Sequence, residues 1–471
     1  MQVTSSQFKQ TARVKLADPR LQAALKKLQS NFVKGRADRI AELDNFEDIR
    51  DAAAAIRDRV LAHLDAYLEE FEQNATARGA VVHWAETAAD VNRIVCDIAA
   101  QHGVRRVAKS KSMVTEECGL NDALEAAGYE VIETDLGEYI LQLAREYPSH
   151  IVAPVVHKSR EEVSDLFALK HGRPRKTDIA QLTREARDML RPQFLAADMG
   201  VTGANFIIAE TGSTLIVTNE GNGRMVTTLP RVHVAITGIE KVVPTLEDVS
   251  TLLRLLPRHG TGQSVTNYIS VTTGVRDAGA ADGPEHFHVV LVDAGRTRLL
   301  GTDFQPMLRC IRCGACMNHC PVYQSIGGHA YGWVYPGPMG SVLTPSYVGL
   351  EAALDLPHAA TLCNQCGVVC PVKIPLPELL RKLRERQFER RLRPWSERLG
   401  LWTWAWFAQR PALYALVTRI AARALAWRGG RDRLIHRLPF AADWSGGRDL
   451  PAPEGVTFRD LYSGRTRKGP P

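Results

Sequence analysis

The stretch "CIRCGACMNHCP", Cys310 to Pro321, places four of the chain's nine cysteines on one short loop and closes on a proline. No other feature restricts the local fold so severely, because four thiols at this spacing must turn inward together. Cys310, Cys313, Cys316 and Cys320 follow C-x2-C-x2-C-x3-C-P, in which three thiolates on a curling loop hold one [4Fe–4S] cluster and the fourth reaches a second. A second run, "CNQCGVVCP", supplies Cys363, Cys366, Cys370 and Pro371, and puts Ala360 where its first cysteine would stand. The crossed pattern expects Cys310, Cys313, Cys316 and Cys370 at cluster one, with Cys320, Cys363 and Cys366 at cluster two. Cluster two is then one thiolate short. It is either a [3Fe–4S] centre or a cluster whose last iron takes solvent, a histidine such as His358, or a residue from elsewhere. Structural zinc also uses C-x2-C pairs, but in sets of four, which seven cysteines in two Cys-Pro runs fit poorly.

The remaining composition is that of an ordinary globular protein. At 471 residues, with 45% hydrophobic and 24% charged, the chain exceeds what one core supports, and two or three structural units are expected. No segment offers the roughly 18 to 20 uninterrupted apolar residues of a membrane span; "LGLWTWAWFAQRPALYALV" is cut by Gln409, Arg410 and Pro411. The first twenty residues lack the apolar centre of a secretory signal. A cytosolic location is expected, where clustered cysteines indicate metal or redox chemistry and not disulfides. Cys96 in "RIVCDIAA" and Cys118 in "TEECGL" are expected in the core. The net charge of +7 belongs to the tail: from Glu378 onward 20 Lys+Arg face 9 Asp+Glu, against 39 and 43 before it. No nucleic-acid function follows from so local a charge.

Apolar spacing at Leu21, Ala24, Leu25 and Leu28 predicts helices from residue 7 to about 75. From Gly79 onward short β-branched runs alternate with helical ones, which predicts an open, mainly parallel α/β sheet. The expected segments are a helical 1–78, an α/β domain over 79–300, a small, mostly helical two-cluster region over 301–390, and a basic, tryptophan-bearing extension over 391–471.

Within the α/β region, Glu210, Thr211, Gly212 and Ser213 form one polar turn, and Asn219, Glu220, Asn222 and Arg224 form another. Both suit an anion-binding edge of backbone amides and hydroxyls, and both equally suit hairpin turns. Lys109 and Lys111 sit near a predicted strand end, where ligands bind in such sheets. His286 and His288 share one strand face, a poor metal site without a third ligand. No nucleophile triad, P-loop or dinucleotide fingerprint is present, and no flavin or NAD site is expected.

With both runs placed, the chain resembles the B subunits of lactate utilization systems (the LutB/YkgF family). The resemblance rests on "CIRCGACMNHCPVY", "IGGHAYGWVYPGPMGSVLTP", "CNQCGVVCPVKIPLPELL", "AETGSTLIVTNEGNGRM" and "GPEHFHVVLVDAGR". It implies a LUD-type domain, like those of CoA transferases and sugar-phosphate isomerases, with a ferredoxin-type two-cluster module. It further implies a role in oxidising L-lactate to pyruvate, with a cysteine-rich A-type subunit and a C-type subunit that has the same α/β domain. The first functional expectation is therefore an electron-transfer subunit. The alternative is an enzyme in its own right, with the α/β domain holding a small carboxylate or an acyl or phosphate ligand beside the incompletely ligated cluster. For the tail, packing over the cluster region with its tryptophans as a shield is expected ahead of docking to a partner or an anionic membrane surface.

Overall fold

The β-branched runs become strands that share one direction. The computed structural model describes residues 2–438, 445 and 448–466, in two units, 1–387 and 388–471. In the first unit the strands are β1 (Ala80–Ala85), β2 (Arg106–Lys109), β3 (Glu130–Glu133), β4 (Met199–Gly203), β5 (Phe206–Ile208), β6 (Ser213–Thr218), β7 (Val232–Gly238), β8 (Val242–Val243), β9 (Tyr268–Thr272) and β10 (His286–Val292). Six of them form a sheet in the order β1-β10-β7-β4-β2-β3, and every pairing in it is parallel. Both faces of β7 are buried along its whole length, as a parallel sheet covered by helices requires. The other four form a smaller sheet, β8-β5-β6-β9, in which β5–β6 and β6–β9 run antiparallel.

The helices cover the sheet for reasons visible in their sequences. Helix Ala88–Gln101 begins with a capping box between Thr87 and Asp90 and buries Val91, Ile94, Val95 and Ile98 at helical spacing. Before the sheet come α1 (Phe8–Leu16), α2 (Pro19–Ile40), α3 (Phe46–Ala62) and α4 (Leu64–Ala77). Asp18 caps α2 by accepting from the amides of Arg20 and Leu21, with Pro19 at its first position. The segments expected as 1–78, 79–300 and 301–390 are thus regions of one unit up to residue 387.

In the second unit, helices Trp395–Ala408 and Pro411–Arg428 bury no residue. Trp402 and Trp404 are 61% and 62% exposed, and Trp427 is 85% exposed; apolar residues encircle helix Trp395–Ala408, and its neighbour in the same unit covers only part of it. Residues 439–444, 446–447 and 467–471 of the expected extension lie outside the described residues. Among the described residues no helix is long and apolar enough to cross a membrane.

The first polar turn joins β5 to β6. Gly212 closes the β5–β6 hairpin at φ +66°, and a Cβ there would lie 2.1 Å from the Ala75 amide nitrogen at the end of α4. Gly212→Ala is expected to destabilise the protein by about 3 kcal/mol through overpacking and a strained φ, measured as a lowered denaturant midpoint.

Candidate functional site

The two cysteine runs adopt one local conformation twice. In the first, Arg312 (φ 59°) and Gly314 (φ 81°) flank Cys313, and a short helix, Ala315–Asn318, follows. In the second, Leu362 (φ 56°) and Asn364 (φ 66°) flank Cys363, and Gln365–Val368 follows. Left-handed residues on either side of a cysteine turn the loop sharply enough to point consecutive thiols inward. Backbone amides then face the sulfurs in matching places: Ala315 at Cys313 and Gln365 at Cys363, Val322 and Tyr323 at Cys320, Val372 and Ile374 at Cys370.

Tertiary packing brings four of the seven thiols together. Cys310, Cys313, Cys316 and Cys370 line one cavity, closed by apolar side chains such as Met307, Met339 and Ile374. Cys320, Cys363 and Cys366 lie within electrostatic range of one another. Among the described residues no three His, Cys, Asp or Glu side chains meet at a point fit for a single ion. Burial pushes the Cys370 thiol up to about 11 and the Cys366 thiol up to about 12, and it raises Cys313 and Cys316 further. Buried thiols held this high become thiolates when a cationic group replaces their protons, so the donor set fits iron–sulfur ligation. Cys363 differs: it is exposed and shifted down by the Thr361 side chain and the Gln365 amide.

The N-terminal helices supply cations that sequence reasoning missed. From α3, Arg50 donates to the Cys370 carbonyl at 2.7 Å and to the Val368 carbonyl at 3.0 Å. Two turns along the same face, Arg57 donates to the carbonyls of Val242, Leu308 and Glu240. Arg36 of α2 reaches the Val369 carbonyl at 3.3 Å. Arg57 is 1% exposed, and burial brings its guanidinium down to about 10. The available signal was arginine seven residues from arginine on the otherwise apolar face of α3.

The α/β domain carries a pocket where the parallel strands end. A cavity of about 390 Å³ is lined by Ser110, Lys111 and Ser112 after β2, Asp135 after β3, Gly203 to Asn205 at the end of β4, and Thr218, Asn219, Glu220 and Asn222 at the end of β6. Its wall continues through Lys241 to Arg312 and Cys313. The second polar turn therefore lies on the pocket, except for exposed Arg224. The first does not: Glu210, Thr211 and Ser213 line a separate hollow beside α4, and the Glu210 carboxylate accepts from the Leu246 amide at 2.6 Å. Lys109 is also absent from the pocket, since its ammonium is fully buried between Glu116 and Glu133. Lys111 is on it, donating to the Val152 carbonyl at 2.7 Å. The pocket reaches Cys313 of the first thiol set and none of Cys320, Cys363 or Cys366.

Three smaller expectations are placed as well. His358 hydrogen-bonds Gln387 at 3.0 Å, and the Ala360 carbonyl accepts from Arg384 at 2.9 Å. His288 joins a histidine group, 3.1 Å from His83, while the His286 ring lies 4.1 Å from that of His102. Cys118 is buried in the core under the sheet and Cys96 packs against that core.

A doubly covered parallel sheet, joined to two cysteine runs that repeat one fold, defines an iron–sulfur protein of the dicluster ferredoxin type attached to an α/β domain. Comparison with known families agrees: the LUD domain family matches residues 68–292, the 4Fe-4S dicluster domain matches residues 306–374, and the lactate utilisation protein B C-terminal family matches residues 381–467. The chain is 43% identical to lactate utilization protein B of Geobacillus kaustophilus (strain HTA426), over 100% of this chain and 99% of that one. It is 42% identical to the uncharacterized electron transport protein YkgF of Escherichia coli (strain K12), over 98% and 97%. A crystal structure of a DUF162 family protein from Deinococcus radiodurans aligns with 49% of this chain and 98% of its own at 15% identity, with a TM-score of 0.28. The chain belongs to the lactate utilization protein B family, and it carries iron–sulfur clusters in a lactate-utilization role.

Proposed function

We propose that this chain is the electron-transfer subunit of a system oxidising L-lactate to pyruvate, with cluster one on Cys310, Cys313, Cys316 and Cys370 and cluster two on Cys320, Cys363 and Cys366. The observation that carries the reading is the single cavity lined by four cysteines drawn from both runs. Bound there, iron–sulfur clusters supply one-electron exchange at potentials set by charge, hydrogen bonds to sulfur and exposure. The protein's own residues fit that task. Arg36, Arg50 and Arg57 place positive charge beside the first thiol set and so favour its more negatively charged redox state. The paired backbone amides at Cys313, Cys320, Cys363 and Cys370 act in the same direction. The exposed loop at Cys363 leaves the second set near the surface, where exchange with a partner is fastest.

The partners are a cysteine-rich A-type subunit and a C-type subunit with a LUD domain, in the cytoplasm. The exposed helical hairpin of the second unit offers these subunits a docking face. An anionic membrane surface would suit the same mixture of tryptophan and arginine.

A second reading has the chain itself oxidise a small carboxylate, and the presence of Cys313 on the pocket wall favours it. The two separate in one assay. Anaerobic chain alone with L-lactate is expected not to reduce a dye until the A-type and C-type subunits are added; dye reduction by the chain alone would replace the first reading with the second.

Ligation is tested by substitution. Intact protein is expected to hold seven to eight irons, by iron and sulfide analysis, and zinc without visible absorbance would end the iron–sulfur assignment. Cys370→Ser is expected to remove the electron-paramagnetic signal that Cys310→Ser removes, and Cys363→Ser to spare it. Loss of the Cys363-dependent signal in Cys370→Ser would refute the crossed pairing.

Truncation after Arg393 tests the tail. Clusters are expected to survive, while co-purification with partner subunits or sedimentation with anionic vesicles is lost; loss of clusters would instead assign the tail to folding of the cluster region.

A further inference from the structure

The stretch "GHAYGWVY", Gly328 to Tyr335, lies between the two cysteine runs and contains no cysteine. Three fully buried tyrosines, Tyr323, Tyr331 and Tyr335, lie in it or just before it. Two of them have a partner for the hydroxyl: Tyr323 donates to the Ser149 carbonyl at 2.8 Å, and Tyr335 to Glu117 at 2.6 Å. The Tyr331 Oη has none among the described residues, cysteine sulfur included. An unpaired buried hydroxyl is costly, and this one is held in place from the far end of the chain. Ser5 Oγ donates to the Tyr331 carbonyl at 2.8 Å, the Thr4 amide donates to the Gly332 carbonyl at 2.8 Å, and the Phe8 ring meets the Tyr331 ring edge-on at 5.6 Å. A Cβ at Gly332 would lie 2.6 Å from the Ser5 amide nitrogen, so the two segments meet backbone to backbone. Burial first, and then Cys320, Tyr323 and Cys316, keep the Tyr331 phenol protonated far above its ordinary range. It therefore stays a donor. Tyr323 already donates elsewhere, and no bond joins the two hydroxyls, which leaves the sulfur side to supply the acceptor.

We infer that the Tyr331 hydroxyl donates a hydrogen bond to sulfur of the second cluster, beside Cys320, and raises that cluster's reduction potential. The second set is chosen because Cys320 acts on the phenol more strongly than Cys316 of the first set does. A donor to sulfur stabilises the reduced, more negatively charged cluster. Such a bond favours passage of an electron from the first set to the second, toward the exposed loop at Cys363. Tyr331 is thus a tuning residue and not a ligand.

The inference rests on the two-cluster reading. Full-length, anaerobically prepared Tyr331→Phe is compared with the unaltered protein by redox titration followed by electron-paramagnetic resonance. The Cys363-dependent signal is expected to move to lower potential by about tenfold in its reduction equilibrium, ~59 mV for one electron, and the Cys310-dependent signal to move less. Tyr323→Phe, which removes a buried hydroxyl already paired within the protein, is expected to leave both potentials in place. An exchangeable proton coupled to the second cluster, read by electron–nuclear double resonance in light and heavy water, is expected to vanish in Tyr331→Phe. If that variant does not retain its clusters, meta-fluorotyrosine in place of Tyr331, a stronger donor of nearly the same shape, tests the same bond and is expected to raise the potential. An unmoved Cys363-dependent potential, a shift confined to the Cys310-dependent signal, or an equal shift in Tyr323→Phe would overturn the inference. Iron and sulfide analysis of the unaltered protein keeps the two questions apart. Two clusters with an unmoved potential refute the Tyr331 bond alone, and protein without two clusters refutes the two-cluster reading.

Discussion

The buried carboxylate of Glu240 holds the α/β sheet to the cysteine loop. It lies just after β7 and is 1% exposed. Arg296 donates to it at 2.8 Å, and Arg312, between two cysteines of the first run, reaches it at 3.4 Å. Burial alone would raise this carboxyl, yet Arg296, Arg312 and Lys241 bring it down to about 2. Arg296 also forks onto Glu117 at 3.0 and 2.9 Å, and Tyr335 donates to the same carboxylate at 2.6 Å. Such a network adds little stability compared with a well-packed apolar core, but losing one member leaves a buried charge unpaired at about 3–5 kcal/mol. Its effect is registry: the strand end and the loop can meet in one arrangement only.

That registry explains why the N-terminal helices belong to the same unit as the cysteines. Loops that curl around sulfurs have few backbone partners of their own, so their carbonyls must be satisfied from outside. Arg36 and Arg50 do this for Val368, Val369 and Cys370, and Arg57 does it for the segment leading into Cys310. The guanidinium suits the task because it carries several donors and keeps its charge when buried. The same side chains also place positive charge near the thiols.

The pocket and the thiols meet for a topological reason. Parallel strands end together, and the loops that leave those ends form the crevice where such sheets bind ligands. Here the cysteine loop is pinned at that crevice by Glu240 and Lys241, the latter donating to the Cys310 carbonyl at 3.2 Å. The pocket and the first thiol set therefore share a wall at Cys313.

Much of this was written in the chain itself. Cysteine spacing specifies cluster chemistry, because sulfur is scarce in a chain and its geometry is local. The alternation of β-branched and helical runs specifies the parallel sheet, because each period must bury one face. The α/β residues were legible only in part. The turn at Asn219 to Asn222 and the turn at Glu210 to Ser213 look alike in sequence, yet one lines the pocket and the other closes a hairpin on α4. Lys109 and Lys111 are two residues apart, yet Lys109 ends β2 in a buried ion pair, whereas Lys111 lies past the strand end on the pocket. The arginines of α2 and α3 gave no local sign of their partners, which lie about 185 to 330 residues away. Sequence determined what is settled by bond lengths and periodicity. Tertiary structure alone decided which equivalent polar groups face the cavity, because that depends on where distant segments cross, and no short stretch of chain encodes the crossing.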